Sequence, residues 1–293
     1  LIEKLISHGE EVICLDNLHT GRKNNLSKWA NNSNFTFIEH DVINPIDIKI
    51  DKIWHLACPA SPFHYQEDPI KTSRTNFLGT YNCLELALKN KARILFTSTS
   101  EIYGDPEIHP QTEDYRGNVN PIGIRSCYDE GKRIGETLCF DYQRRYGLDI
   151  KVARIFNTYG PKMLIEDGRV VTNFIVQALN NKPLTIYGEG LQTRSFCFVD
   201  DLVLGLYYLM QSNHHGPMNL GNTEEFTIKK LANLIKNKIN PNLELEYKPL
   251  PQDDPTQRKP NLDLAKKVLN WHPKIKINEG LDATIEYFKN QIK

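Results

Sequence analysis

The sequence has no surplus of charge: 36 lysines and arginines stand against 36 aspartates and glutamates in 293 residues. A balanced chain sets up no long-range field to gather nucleic acid or anionic lipid, so the partner predicted is a small molecule. Only a local basic pocket for a phosphate remains open. Cysteine is sparse and scattered at Cys14, Cys58, Cys83, Cys127, Cys139 and Cys197, with no Cys-x-x-Cys pair and no recurring Cys/His spacing. That excludes a zinc centre and predicts reduced thiols in a cytoplasmic protein that binds no metal. No apolar run is long enough for a bilayer, since the longest, around 202–210, holds Gly205 and two tyrosines. No Gly-x-Gly-x-x-Gly phosphate loop occurs anywhere. Leu1 to Ile6 read as the inside of an amphipathic helix, so the first strand and the glycine-rich loop are predicted to be missing ahead of it.

Apolar residues at 40% and charged residues at 25% fit an ordinary globular protein. Helical and extended patterns alternate through the first half. A helix (1–7) is followed by buried-strand runs at 11–15, 35–38 and 52–57, the last before a proline-bearing turn. A helix at 68–89 then precedes a strand at 93–97, and a helix at 126–146 precedes a strand at 150–155. The fold class predicted is α/β, a Rossmann-type doubly wound parallel sheet over 1–160, with a smaller mixed substrate-binding lobe over 161–293 and possible chain crossovers between them. Ligands of such a sheet sit beyond the carboxyl ends of its strands, where this sequence turns polar. Gly131 and Gly135 are predicted to let helices approach closely.

Asp16, with Asn17 after it, ends a strand where a dinucleotide-binding unit places an acid on the adenosine ribose; a plain turn aspartate is the alternative. Thr20 and Gly21 can wrap the ribose edge, and Asp41-Val42 closes the next strand beside an adenine. An acid at Asp16 repels a 2′-phosphate, so the cofactor predicted is NAD rather than NADP. Tyr128 and Lys132 stand at i, i+4 on one helix face, so an ammonium can lower the phenol pKa toward working pH. They follow Thr97-Ser98-Thr99-Ser100-Glu101, hydroxyls and a carboxylate at a strand end, although such runs also serve as caps and turns. Arg169, Arg194 and Arg258 stand in polar loops and suit diphosphate or carboxylate oxygens, with a solvated surface role as the alternative.

These stretches resemble the extended short-chain dehydrogenases/reductases of the NAD-dependent epimerase/dehydratase family, in its nucleotide-sugar branch. The residues that carry the resemblance are Thr97 to Pro106, Asn120-Pro121-Ile122-Gly123, Cys127-Tyr128-Asp129-Glu130-Gly131-Lys132-Arg133, Arg154 to Pro161, Asp167 to Val171, Asp253-Asp254-Pro255 and Arg258-Lys259-Pro260. Within that branch the UDP-glucuronate decarboxylase (UDP-xylose synthase) type is the most similar. The resemblance implies NAD-dependent decarboxylation of UDP-glucuronate to UDP-xylose through a 4-keto sugar, with Tyr128, Lys132 and Thr99 at sugar carbon 4. Ser100 stands where dehydratases of the branch carry an acid, which disfavours loss of a hydroxyl. Glu101 is implied near the substrate carboxylate, either orienting it or handling water.

The resemblance also implies that Leu56, Cys58, Thr75 and Thr158 line NAD together with Tyr128 and Lys132. It places Arg74, Asn157, Arg169, Arg194 and Arg258 near the UDP-sugar. It further implies a homodimer paired through the helices at 68–89 and 126–146. A 4-epimerase or 4,6-dehydratase of the same branch, or an inactive sugar-nucleotide-binding fragment, are the competing readings.

Overall fold

The computed structural model describes residues 1–292. A short helix α1 (Ile2–Ile6) leads into strand β1 (Val12–Asp16), which pairs in parallel with β2 (Phe35–Glu39) so that Asp16 lies opposite Glu39. Strands β3 (Lys52–His55), β4 (Arg93–Thr99) and β5 (Ile150–Ile155) form a second parallel ladder with Phe96 between His55 and Val152. The sequence reading expects one continuous sheet. The structure has two ladders, because among the described residues no strand pairs with both β1 and β3. An ion pair from Lys52 at the start of β3 to Glu10 just before β1, 2.7 Å long, ties them at one end.

β4 is the central strand, and all but its first residue are buried. Ile94, Leu95 and Phe96 are the apolar part, each fully buried side chain contributing roughly 1.5–3 kcal/mol. Ser98 and Thr99 extend the strand two residues beyond its predicted end, and with Thr97 they are still under cover. A continuous apolar run is what a parallel strand covered on both faces requires, so its polar tail is the anomaly to account for.

Helices α2 (Pro62–Glu67), α3 (Pro69–Arg74) and α4 (Thr80–Asn90) precede β4, and α5 (Ser126–Tyr146) follows it. The sequence reading has only a turn where α2 lies, although Pro62 at its first turn is a helix-start signal. The helix read over 68–89 is not uniformly α. Asp68 caps α3 by accepting the Lys71 N–H at 2.8 Å, and a π-helical turn at Thr75–Gly79 separates α3 from α4. π turns recur at functional sites, and this one carries Asn76 against Gly131, where a Cβ would come within 2.6 Å of the amide. Gly131 thus brings two helices together. Gly135 does something else, for it receives the Phe96 ring of β4 and lets α5 settle on the sheet.

Beyond β5 the elements shorten. β6 (Thr158–Tyr159) pairs with β9 (Cys197–Phe198), and β7 (Leu184–Tyr187) pairs with β12 (Leu245–Lys248). β8 (Thr193–Ser195) lies between β11 (Glu225–Thr227) and β13 (Gln257–Arg258). Helices α6 (Val170–Leu179), α8 (Ile228–Ile239) and α10 (Ile277–Gln291) pack around these pairs. The chain returns to the large sheet once: after α7 (Val199–Gln211), strand β10 (Pro217–Leu220) pairs with β5, and α9 (Asp263–Leu269) covers it. Leu95 and Ala153 of the sheet share one apolar cluster with Leu206, Met218 and Trp271, so early and late segments have a common core.

Candidate active site

The buried hydroxyls at the end of β4 run into a 3₁₀ turn, Ser100–Tyr103, where the Thr99 hydroxyl accepts the Glu101 N–H at 3.2 Å. α5 crosses above them. Tyr128, one helical turn before Lys132, is 5% exposed, and its hydroxyl is hydrogen-bonded with Thr99. The Tyr65 ring of α2 stacks on it, centroids 4.9 Å apart and planes within 2°. Lys132 is buried, donates to the Thr97 carbonyl at 2.9 Å and lies 5.7 Å from the centre of the Tyr128 ring. Ser100 is buried beside Thr99.

The sequence reading expects Lys132 to lower the phenol pKa. The structure overturns this: burial pushes the Tyr128 phenol well above its ordinary value, with the Glu101 charge adding to it, and burial lowers Lys132 as well. Its ammonium is engaged by the Thr97 carbonyl and stands off the ring, so desolvation outweighs its attraction.

Glu101 sits among arginines. Arg125, at the start of α5, donates to its carboxylate at 2.8 Å, and Arg258 of β13 approaches at 3.5 Å. Burial alone would raise Glu101, but Arg125, Arg258 and a hydrogen bond with Asp129 overcome it and hold the carboxyl at about 2. Asp129 moves the other way, raised to about 9 by burial first and then by the neighbouring Glu101. Arg194 pairs with Asp254 at 3.1 Å, and Arg125 reaches the same carboxylate at 3.8 Å. Burial pulls Arg194 down to about 10. Arg169 is clamped by Asp167 through two hydrogen bonds of 2.6 and 2.7 Å and feels the charge of Glu101. A cavity of about 70 Å³ opens beside this cluster, walled by Gly104, Asn118, Arg125, Asp129 and Arg258 among others. A larger open depression, near Gly188, Lys229 and Tyr247, shares no residue with it.

Sequence reasoning gave no role to Arg125, Asp129, Asp254 or Tyr65. The first two were within reach of it, because Arg125, Asp129 and Lys132 recur on one face with Tyr128 at helical spacing. The surface alternative for the loop arginines fails for two of them: Arg194 and Arg258 are buried, 6% and 4% exposed. Arg74 is exposed on α3, apart from the cluster, and Asn157 is half-buried, its carbonyl accepting the Cys197 N–H at 2.9 Å.

A second group of residues gathers at the carboxyl ends of β1 and β2. Asp16 accepts the Leu18 N–H at 2.7 Å, and Asn17 bridges to Asp41 at 2.9 Å. Thr20 and Gly21 follow in the same loop, and a Cβ on Gly21 would come to 2.8 Å from the Asp16 carboxylate, so the loop closes on this acid only with glycine there. Val42 lies against Gly79 of the π turn, whose first residue is the buried Thr75. Leu56 is largely exposed and Cys58 half-buried just past β3, while Thr158 donates to the Phe156 carbonyl at 3.0 Å. Two acids ending adjacent parallel strands, with a glycine-tightened loop, make a cradle that fits a ribose and its base. No group of three or more metal-ligating side chains occurs among the described residues.

The model of the NAD-dependent epimerase/dehydratase family matches residues 1–221. The chain belongs to that family. Among curated members it is 55% identical over 292 residues to UDP-glucuronic acid decarboxylase 1 of Arabidopsis thaliana, covering all of this chain and 67% of that protein. Among solved members it superposes on UDP-glucose 4-epimerase from Thermotoga maritima with a TM-score of 0.90 at 28% identity, covering 100% and 95% of the two chains. UDP-glucuronic acid 4-epimerase from Bacillus cereus, solved with UDP-glucuronic acid and NAD, gives 0.87 at 26% identity over 99% and 94%. The family's cofactor is NAD, and the fold here is the family's Rossmann-like one.

Proposed function

We propose that this chain decarboxylates UDP-glucuronate to UDP-xylose with NAD as a cycling cofactor. The observation that carries the reading is a carboxylate and two arginines, Glu101 with Arg125 and Arg258, set beside the Tyr128–Thr99 pair, in a chain more than half identical to curated decarboxylases. Bound NAD supplies hydride acceptance from sugar carbon 4 and its later return, which sets the carbon-5 carboxylate β to a ketone and lets it leave as carbon dioxide. Asp16, Asp41, Val42 and Thr75 hold the adenosine end, and Tyr128 with Lys132 the other.

Tyr128 Oη, sharing a hydrogen bond with Thr99, takes the proton of the carbon-4 hydroxyl as a phenolate, a form that burial disfavours and that the positive charges of bound NAD and Lys132 would favour, and then gives the proton back. The same two donors face the oxygen that gains charge as the carbon–carbon bond breaks. Arg258 presents a buried Nε with no partner, a free donor for the substrate carboxylate or diphosphate. Glu101 is held as an anion, which suits it to orient a water that relays a proton from solvent to carbon 5 and not to contact a like-charged carboxylate. Ser100 is a poor acid for expelling a hydroxyl, which argues against dehydration.

Incubation with NAD and UDP-glucuronate, followed by mass spectrometry, tests this: carbon dioxide with UDP-xylose supports it, and UDP-galacturonate without carbon dioxide makes the chain a 4-epimerase. We further infer a homodimer through α3, α4 and α5, supported by exposed Ile70, Phe77 and Tyr81 on one side and Ile134 on the other. Equilibrium sedimentation at the mass of one chain would refute it. No described helix is long and apolar enough to cross a membrane, and the six free thiols fit a reducing, cytoplasmic setting.

A further inference from the structure

Asp129 follows Tyr128 on α5, yet it points at neither the phenol nor solvent. It is 8% exposed, its carboxyl is within hydrogen-bond reach of Glu101, and its Oδ1 is buried without a partner. Two carboxyl groups in contact and largely withdrawn from bulk water repel each other when both are ionised. One proton shared between them relieves that repulsion. Glu101 is the member that faces guanidinium groups directly, Arg125 at 2.8 Å and Arg258 at 3.5 Å, so the charge belongs on Glu101 and the proton on Asp129.

We propose that Asp129 is a positioning residue: held as a neutral carboxylic acid, it donates a hydrogen bond to Glu101 and fixes that carboxylate for its work on the sugar. The inference rests on the decarboxylase reading for what Glu101 does, though the geometry stands without it. Glu101 has three donors from three places, Arg125 from the start of α5, Arg258 from β13 and Asp129 from the face of α5. A carboxylate gripped from three directions keeps one orientation through the catalytic cycle. The titratable and charged groups that face Asp129 are Glu101, Arg125, Arg258, Tyr65 and Cys127. Of these, the two arginines favour its ionisation and Glu101 opposes it, after burial, which opposes it most.

The test uses two readouts. In the infrared spectrum of the chain labelled with ¹³C-aspartate, wild type is expected to show the carbonyl band of a protonated acid near pH 7. The band should fade as pH rises toward about 9 and be absent in D129N. No such band in wild type overturns the proposal, whether or not the chain is active. In decarboxylation, D129A is expected to lose about 100-fold in kcat with KM nearly unchanged, while D129N, a neutral donor of the same shape, recovers to within about threefold of wild type. D129N should also move the alkaline fall of kcat up by about one pH unit or more, since its amide cannot ionise. An alkaline fall identical to wild type, or D129N as slow as D129A, also overturns it. Wild type that releases no carbon dioxide refutes the activity reading and leaves the infrared outcome to decide the role of Asp129; if D129A does not fold, D129N and the band decide.

Discussion

Tyr128 has its hydroxyl on Thr99 and its ring on Tyr65, and these two attachments make different contributions. The ring contributes to the core, whereas the hydroxyl is available for chemistry. Tyr128→Phe is therefore expected to lower kcat by about 10²–10⁴-fold, with UDP-glucuronate binding and melting temperature close to wild type, as turnover assays and calorimetry would show. The Glu101–Asp129 pair makes stability depend on pH with a definite sign. Asp129 is raised in the folded chain from the ordinary 3.8 to about 9, so the fold binds a proton that the unfolded chain releases, and stability declines as pH rises between those values. Glu101 is lowered from 4.5 to about 2, so its contribution is present above about 4.5 and is lost as pH falls toward 2. The melting temperature of D129N should accordingly rise relative to wild type as pH increases from about 5 to 9; a constant gap would contradict the sign. At this scale the placement of Tyr128 and Lys132 one turn apart on a helix that follows the strand end at Thr99 was legible, because it follows from local spacing and from a strand end. The buried state of Arg194 and Arg258 was not legible, because their acidic partners, Asp254 and Glu101, lie 60 and 157 residues away in the chain.

Among the elements, α5 carries the site. One stripe of it presents Arg125, Tyr128, Asp129 and Lys132 to the chemistry and Glu136 to a buried network with Ser98 and Arg154. Its seat on the sheet is the Phe96 ring against Gly135, where a Cβ would come to 2.4 Å from the ring edge. Gly135→Ala is expected to destabilise by about 1–3 kcal/mol in urea unfolding and to reduce kcat by moving Tyr128 away from Thr99. An unchanged urea midpoint would mean that Phe96 yields without cost. α5 and β5 were readable to their end residues because long amphipathic and short apolar patterns are bounded by clear stops, Gly147 for the helix. The π turn at Thr75–Gly79 was not, since one widened turn barely disturbs a 3.6-residue pattern. Nor was α2, six residues long and hidden behind two prolines.

In the whole molecule the site joins distant segments of chain: Thr99 from the sheet and Glu101 from the turn after it, Tyr128 from α5, and Arg258 and Asp254 from beyond β12. Arg258→Gln keeps a donor but removes the charge, and it is expected to raise KM for UDP-glucuronate about 10- to 100-fold with NAD saturating. An unchanged KM would place the substrate's anionic groups elsewhere. Alternation of helix and strand made the parallel sheet legible, but not the return of β10 to β5, a pairing that depends on tertiary packing around Met218 and Trp271. That return also has a bearing on how the protein comes into being. As the chain leaves the ribosome, β3, β4, β5 and α5 emerge with the hydroxyls, the tyrosine and the lysine already present, while of its two arginines Glu101 has only Arg125. The edge strand arrives after more than sixty further residues, and Arg258 almost forty after that. Until Arg258 emerges, the nascent chain carries its proton-transfer groups without the arginine proposed here to receive the anionic substrate.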